Sequence, residues 1–440
     1  MNNQMNQQTS RRRFLQTTAA AAVGAGIAVS TSSVARSAHA AGSEVLRVGL
    51  VGCGGRGRGA AVQALKADPG ARLVALADAF PDYVEKTVEL LKKTPVADRV
   101  VVDSDHRFAG FDAYKQLIAS DVDVVLLATP PHFRPIHLKA CVDAGKHVFA
   151  EKPVAVDAPG IRAVLAACEE AKKKRLSIVS GLMYRYQRSK QETIQRIHDG
   201  AIGEIVAIQT TYNCGPPWFR NKDRKPEWTE MEYQMRNWYP FTWLSGDHNV
   251  EQHVHSLDKA AWALYDQTPL KAWGTGGRQV RSEITLGNIF DHHCVTYEFE
   301  NGVRVYSHCR RMAGCSNDIS DHILGTKGRC DLMKHRIEGE VNWRYEGPNP
   351  NMYEVEHQEL FASIRRGEPI NNGVYMAHST MWAIMGRMAT YTGKTVTWER
   401  AMSSKEDLSP ERYAWDADPP ILPDENGLYP LAVPGVTPLV

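Results

Sequence analysis

Apolar residues arrive along this chain in two rhythms. Up to about residue 150 they form short unbroken runs: Leu46–Val51, Leu73–Ala77, Val122–Ala128 and His147–Ala150. Such runs suit strands buried on both faces of a parallel sheet. Between the runs the spacing turns helical, through Ala60, Ala61, Ala64 and Leu65, from Phe111 to Ala119, and from Ile136 to Ala144, where Gly145 supplies a left-handed cap. The alternation predicts an α/β domain over residues 45–175. Beyond it the rhythm changes. Val295–Phe299 and Val303–His308 alternate apolar and polar residues around Asn301-Gly302, a strong hairpin signal. Helical patterns return at Tyr353–Arg366 and Met376–Tyr391, expected to pack back on the first domain. We therefore assign 176–400 to a second, α+β domain for substrate binding and oligomerisation. Residues 401–440, rich in proline, read as an extended arm lying on the body or on a partner subunit.

The first strand runs into Gly52-Cys53-Gly54-Gly55-Arg56-Gly57 and then into a helix. Gly52 permits the tight turn, Gly54 lets backbone N–H groups approach a diphosphate, and Gly57 lets helix and strand pack closely. The second strand ends at Asp78, where an acid that binds ribose belongs. Strand, glycines, helix, strand and acid in this order predict a Rossmann domain binding a dinucleotide on Gly52, Gly54, Gly55, Arg56, Gly57 and Asp78. No arginine adjoins Asp78 to receive a 2′-phosphate, so NAD is favoured over NADP. Thr129, Pro130 and His132 follow the next strand, in the region beyond a strand's carboxyl end where α/β ligands bind.

The glycine turn, Thr129-Pro130 and the segment Gly145-Lys146-His147-Val148 to Glu151-Lys152-Pro153 together resemble the Gfo/Idh/MocA oxidoreductase family, from about Leu46 to Glu399. The resemblance implies an open, mostly antiparallel sheet in the second domain, with a turn at Ile323–Gly328. It also implies that Lys152 lies at the hydride-transfer centre, with Glu151 and Pro153 shaping the same site. A lysine at a strand's carboxyl edge, desolvated by a nicotinamide, is suited to proton transfer or to polarising a substrate oxygen.

Ser245 or Asp247 is expected to cap a helix running through Trp262. On it Glu251, His255, Asp258 and Trp262 share one stripe, and a carboxylate four residues before a histidine can orient the ring as a general base. The family pattern is Asp-x-Gly-x-His-x-x-Asp. His255 and Asp258 match it, whereas Glu251 replaces the first Asp and His253 the Gly. His255 is thus the expected proton-transfer residue, with Glu251 as its partner. Tyr184, Arg185, His253 and Trp238 are candidate substrate contacts, although Tyr184 stands where the family has an arginine. The aromatic segment containing Tyr212, Trp218, Trp228, Tyr233, Trp238, Tyr239 and Trp243, with Arg220, Arg224 and Arg236, serves equally as a sugar platform or as packing.

Composition narrows the class. The 52 Lys and Arg balance 50 Asp and Glu, leaving no field for nucleic acid or anionic lipid. The 8 cysteines form no CxxC or Cys/His ladder, and the histidines at 248, 253, 255, 292, 293 and 322 lack a ligand motif, so no metal is assigned. Ser10-Arg11-Arg12-Arg13-Phe14-Leu15, an alanine-rich stretch from Thr17 to Val34 and Ala38-His39-Ala40 read as a removable twin-arginine signal over residues 1–40. The mature chain is expected to be exported, for example to a periplasm, without a membrane span, and to form a homo-oligomer. Three functions are weighed: a sugar or polyol oxidoreductase, a redox-neutral NAD-dependent glycosidase, and a non-catalytic dinucleotide-binding protein.

Overall fold

The computed structural model describes residues 44–216, 224–280 and 287–440. The signal segment 1–40, Trp218 and Arg220 lie outside them. The first sheet contains β1 (Leu46–Val51), β2 (Ala71–Asp78), β3 (Arg107–Ala109), β4 (Val124–Leu127), β5 (His147–Ala150) and β6 (Ile178–Ser180). They lie in the order β3-β2-β1-β4-β5-β6, every neighbouring pair parallel. Its helices are α1 (Gly55–Ala67), α2 (Pro81–Leu91), α3 (Ala113–Ala119), α4 (Arg134–Asp143) and α5 (Ala158–Lys173). Both β4 and β5 are buried at every position, as a sheet covered on two faces requires. The strand β6 lies beyond the expected boundary at 175, which therefore moves to about 180. Its backbone is sealed from far downstream: Ile178 N–H donates to Ile370 O (2.7 Å) and Asn372 N–H to Ile178 O (3.0 Å).

The second sheet has nine strands among the described residues: β7 (Ile205–Cys214), β8 (Lys271–Gly277), β9 (His292–Glu298), β10 (Arg304–Arg311), β11 (Asp318–Gly325), β12 (Gly328–Asp331), β13 (Arg336–Gly339), β14 (Trp343–Arg344) and β15 (Val396–Thr397). Only β7 and β10 pair in parallel. The expected hairpin forms between β9 and β10, with Gly302 at φ 82° in its turn. Along β10, buried Val305, Ser307, Cys309 and Arg311 alternate with more exposed neighbours, so this sheet covers its core with one face.

The helices of this half are α6 (Arg188–His198), α7 (Glu230–Arg236), α8 (Thr242–Ser245), α9 (His248–Glu251), α10 (Val254–Ala263), α11 (Met352–Arg366), α12 (Gly373–Thr392) and α13 (Trp398–Ser403). As expected, α11 packs on α1 and α12 on α5. The arm that follows α13 lies on the body of its own chain, anchored by Glu406 to Arg387 (3.0 Å) and by Leu408 N–H to Asp157 (3.1 Å). No helix among the described residues is long and apolar enough to cross a membrane.

The single helix expected from Asp247 to Trp262 is two helices. Asp247, at φ 85°, caps α9 through His248 N–H, but the ladder then slips. His253 N–H reaches back five residues to His248 O (3.1 Å), and His255 N–H donates to Gln252 O (3.3 Å). The carbonyl that His255 N–H would meet in a regular helix, that of Glu251, accepts instead from the Lys152 ammonium. This break places the chemistry.

Candidate active site

Where β1 enters α1, the backbone leaves room for an anion. Gly52 has φ 101°, and a Cβ there would lie 2.6 Å from Ala128 C and Thr129 N. A Cβ on Gly57 would lie 1.8 Å from Gly52 O, so α1 rests directly on the turn. Above Gly54 there is nothing within 4 Å, and the N-terminus of α1 has neither a side-chain cap nor an acid in its first turn. Free N–H groups and the positive end of the helix face a cleft lined by Gly52, Gly54, Gly55, Arg56, Asp78, Thr129 and Pro130. These residues fit a dinucleotide's diphosphate. Asp78 accepts from Cys53 N–H (2.6 Å) and Phe80 N–H (3.0 Å), and burial raises its carboxyl to about 6 despite those bonds.

Arg56 leaves the glycine turn to pair with Glu151, and its Nη2 lies 3.7 Å from Glu356 on α11. Glu356 is fully buried, with neither carboxylate oxygen hydrogen-bonded. Burial, reinforced by Glu151, pushes its carboxyl well above the usual range. At the carboxyl edge of β5, Lys152 Nζ donates to Glu251 Oε1 (3.1 Å) and to the Glu251 carbonyl. Both side chains are nearly buried. His255 stands beside this pair with only 5 % of its surface exposed. Its Nδ1 has no partner, and its ring meets Tyr184 edge-on at 5.6 Å. Desolvation, then the charge of Lys152, Lys259 and Arg56, holds its pKa well below the ordinary value. The ring is therefore neutral at neutral pH and available as a proton acceptor. Among the described residues, no three His, Cys, Asp or Glu side chains converge as a metal-ligand set.

Known proteins settle the lineage. Residues 46–179 match the model of the oxidoreductase family with an NAD-binding Rossmann fold, and residues 191–331 that of the GFO/IDH/MocA C-terminal domain. The chain belongs to the Gfo/Idh/MocA family. Like the family, it is an NAD(P)-dependent oxidoreductase that binds NAD. An inositol 2-dehydrogenase of Rhizobium meliloti is 25% identical over 283 residues, 64% of this chain and 74% of that protein. A glycosyl hydrolase family 109 protein of Porphyromonas gingivalis is 28% identical over 170 residues, 38% of this chain and 34% of the relative. The aldose-aldose oxidoreductase structure from Caulobacter crescentus shares the fold at TM-score 0.62 and 21% identity, over 80% of this chain and 99% of that one.

Within this Gfo/Idh/MocA scaffold several expected roles move. Glu251 pairs with Lys152 and makes no hydrogen bond to His255. Arg185, a candidate substrate contact, is engaged by protein groups. Its guanidinium is gripped by Asp258 (Nη2 to Oδ1, 2.8 Å) and Asp266 (Nη1 to Oδ2, 3.1 Å) and covered by the Tyr375 ring at 4.1 Å. Asp258 also accepts from Ser379 (2.8 Å), so Arg185 and Asp258 are tied into the fold together. His253 is fully buried and bonded to Ser307 (2.7 Å). His132 turns away from the cleft to Tyr413 (2.8 Å), leaving Phe133 to line it. Trp238 lines the cleft on the Asp78–Phe80 side, not the Lys152 side. Of the four substrate candidates, Tyr184 alone touches His255.

Sequence reasoning missed Glu356, whose place on an ordinary helical face carried no signal. It also missed the two lysines beside Tyr184. Lys259 Nζ lies 4.4 Å and Lys190 Nζ 4.8 Å from its ring centroid, and Lys259 is paired with buried Asp321.

Proposed function

We propose that this enzyme is exported and moves hydride between retained NAD and a hydroxyl or keto carbon of a sugar or polyol. The observation that carries the reading is the neutral, unpartnered His255 beside the Lys152–Glu251 pair, at the carboxyl edge of the sheet that holds the dinucleotide turn. His255 takes the proton of the substrate hydroxyl, and the adjacent ammonium of Lys152 stabilises the oxygen as charge develops on it. Glu251 holds Lys152 in place through two acceptors. Tyr184 fixes the plane of the His255 ring. Bound NAD supplies the hydride acceptor. The polyol substrate of the inositol dehydrogenase relative supports this substrate class, and the motif Ser10–Leu15 supports export.

The likeness to a glycosyl hydrolase family 109 protein favours one alternative. A substrate carbon is oxidised transiently, the neighbouring C–H loses its proton, the aglycone leaves, water adds and the hydride returns, with no net redox change. The two readings separate in one experiment. Purified enzyme is given free sugars and polyols, then aryl-glycosides, while reduced nicotinamide and released aglycone are followed together. Reduced nicotinamide accumulating with free sugar or polyol alone supports the dehydrogenase. Aglycone released without net reduction supports the glycosidase. If neither occurs, the catalytic assignment fails.

Export is tested by locating the chain after replacing Arg11 and Arg12 with lysine. Full retention in the cytoplasm is expected. We further propose self-association through the outer face of the second sheet, where Val206, Tyr306, Ile319 and Leu324 are exposed. A monomeric mass by light scattering would refute it.

A further inference from the structure

We propose that α7 and the C-terminal arm form a built-in clasp over the adenosine end of the dinucleotide cleft, so that NAD stays bound through turnover. The inference rests on the dinucleotide-binding reading and adds the segments that retain the cofactor. At this end one wall comes from the first domain, as Phe80, Phe111 and Phe133 on the loops after β2, β3 and β4. The facing wall comes from the second domain, as Met235, Arg236 and Trp238 at the end of α7. Aromatic faces opposite a planar guanidinium suit an adenine ring, which stacks on either.

Arg236 joins the walls. Its guanidinium lies 4.1 Å over the Phe80 ring, Nη2 reaches Asp82 (3.2 Å) and Nε reaches Glu232 (2.8 Å). The arm then fastens both walls from behind. Trp415 packs on Phe80 (5.1 Å) and Phe111 (4.5 Å), and Tyr413 packs on Phe133 (5.7 Å). On the other side, Ile421 O accepts from Gln234 on α7 (2.7 Å), and Tyr429 donates to Glu230 (2.5 Å). An adenine ring held against these joined walls leaves readily only when contacts made by three distant parts of the chain separate together. This geometry favours slow release over rapid exchange.

The test uses the full chain loaded with radiolabelled NAD, desalted and chased with excess unlabelled NAD. The wild-type protein should carry label through desalting and release it slowly. Arg236→Met keeps the apolar stem but loses the planar cation, and should release label at least ten-fold faster. Trp415→Ala should do the same. Tyr413→Phe removes the hydroxyl's bonds to His132 and Ser409 but keeps the ring, and should raise the rate a few-fold. Circular dichroism confirms folding, and Trp415→Phe covers the case in which the alanine variant does not fold. Wild-type release rates in both folded Arg236→Met and a folded Trp415 variant overturn the clasp, as does wild-type exchange that is complete within seconds. A protein that takes up no label overturns the clasp and the dinucleotide reading together. Retained label with no turnover of any sugar upholds the clasp and sinks only the proposed reaction.

Discussion

The two ends of the cleft are built on opposite principles. The adenosine end is walled by aromatic rings and one arginine already balanced by Asp82 and Glu232. Beyond Arg56, the proposed reaction end is a buried mesh of charge, with Lys152 on Glu251, Arg56 on Glu151, and Lys259 on Asp321. Contact area holds a ligand at the first and changes little as a reaction proceeds. Preorganised charge in a low dielectric acts at the second, where its value rises as charge develops on the substrate. On the proposed function binding and reactivity are thus separated, and substitutions should separate them too.

The largest effects should fall on the reaction end. Lys152→Met and His255→Gln should each lower kcat by about 10²- to 10⁴-fold, measured at saturating sugar and NAD. A loss below about ten-fold in both would refute the contrast. Next, Arg185→Met strands two carboxylates and should cost about 3–5 kcal/mol in urea unfolding, with KM little changed. A raised KM at unchanged stability would return Arg185 to the substrate.

A smaller effect appears as a pH slope at the adenosine end. Burial lowers His137 to about 3, against about 6.5 unfolded. Between these values the unfolded chain holds a proton that the folded chain lacks, so stability falls as pH falls through 6.5. His137→Gln should flatten that dependence by about 1.4 kcal/mol per pH unit. Asp78, raised to about 6, works in the opposite sense, and Asp78→Asn should steepen the acid loss between about pH 6 and 4. The smallest effect is expected for Glu356→Gln. Burial pushes this carboxyl toward its protonated form, so the near-isosteric amide should change stability by about 0.5 kcal/mol or less. A loss of about 3 kcal/mol or more would mean an ionised Glu356.

What could be read in advance follows how local each constraint is. Gly52, Gly57 and Asp78 answer to turn geometry within one strand-helix-strand unit, and their spacing alone announces it. The family pattern pointed to Lys152 and His255, and the fold brings the two together. It could not show how Arg185 is held, because that depends on which carboxylates reach it, here Asp258 and Asp266, each more than seventy residues away. The break between α9 and α10 was hidden for a similar reason. Helical periodicity cannot foresee a lysine from another domain taking the Glu251 carbonyl. The arm showed only its proline content. Its resting place depended on Phe80, Phe111 and α7.

The bonds between β6 and residues 370–372 set the order in which the molecule can mature. Until the ribosome has released that stretch, the first domain has its nucleotide-binding turn but carries a raw strand edge. Such an edge can pair with another nascent chain. A fragment ending near residue 182 should therefore aggregate rather than bind NAD on its own. The two halves are distinct in architecture yet inseparable in assembly, and cofactor loading is expected to await completion of almost the whole chain.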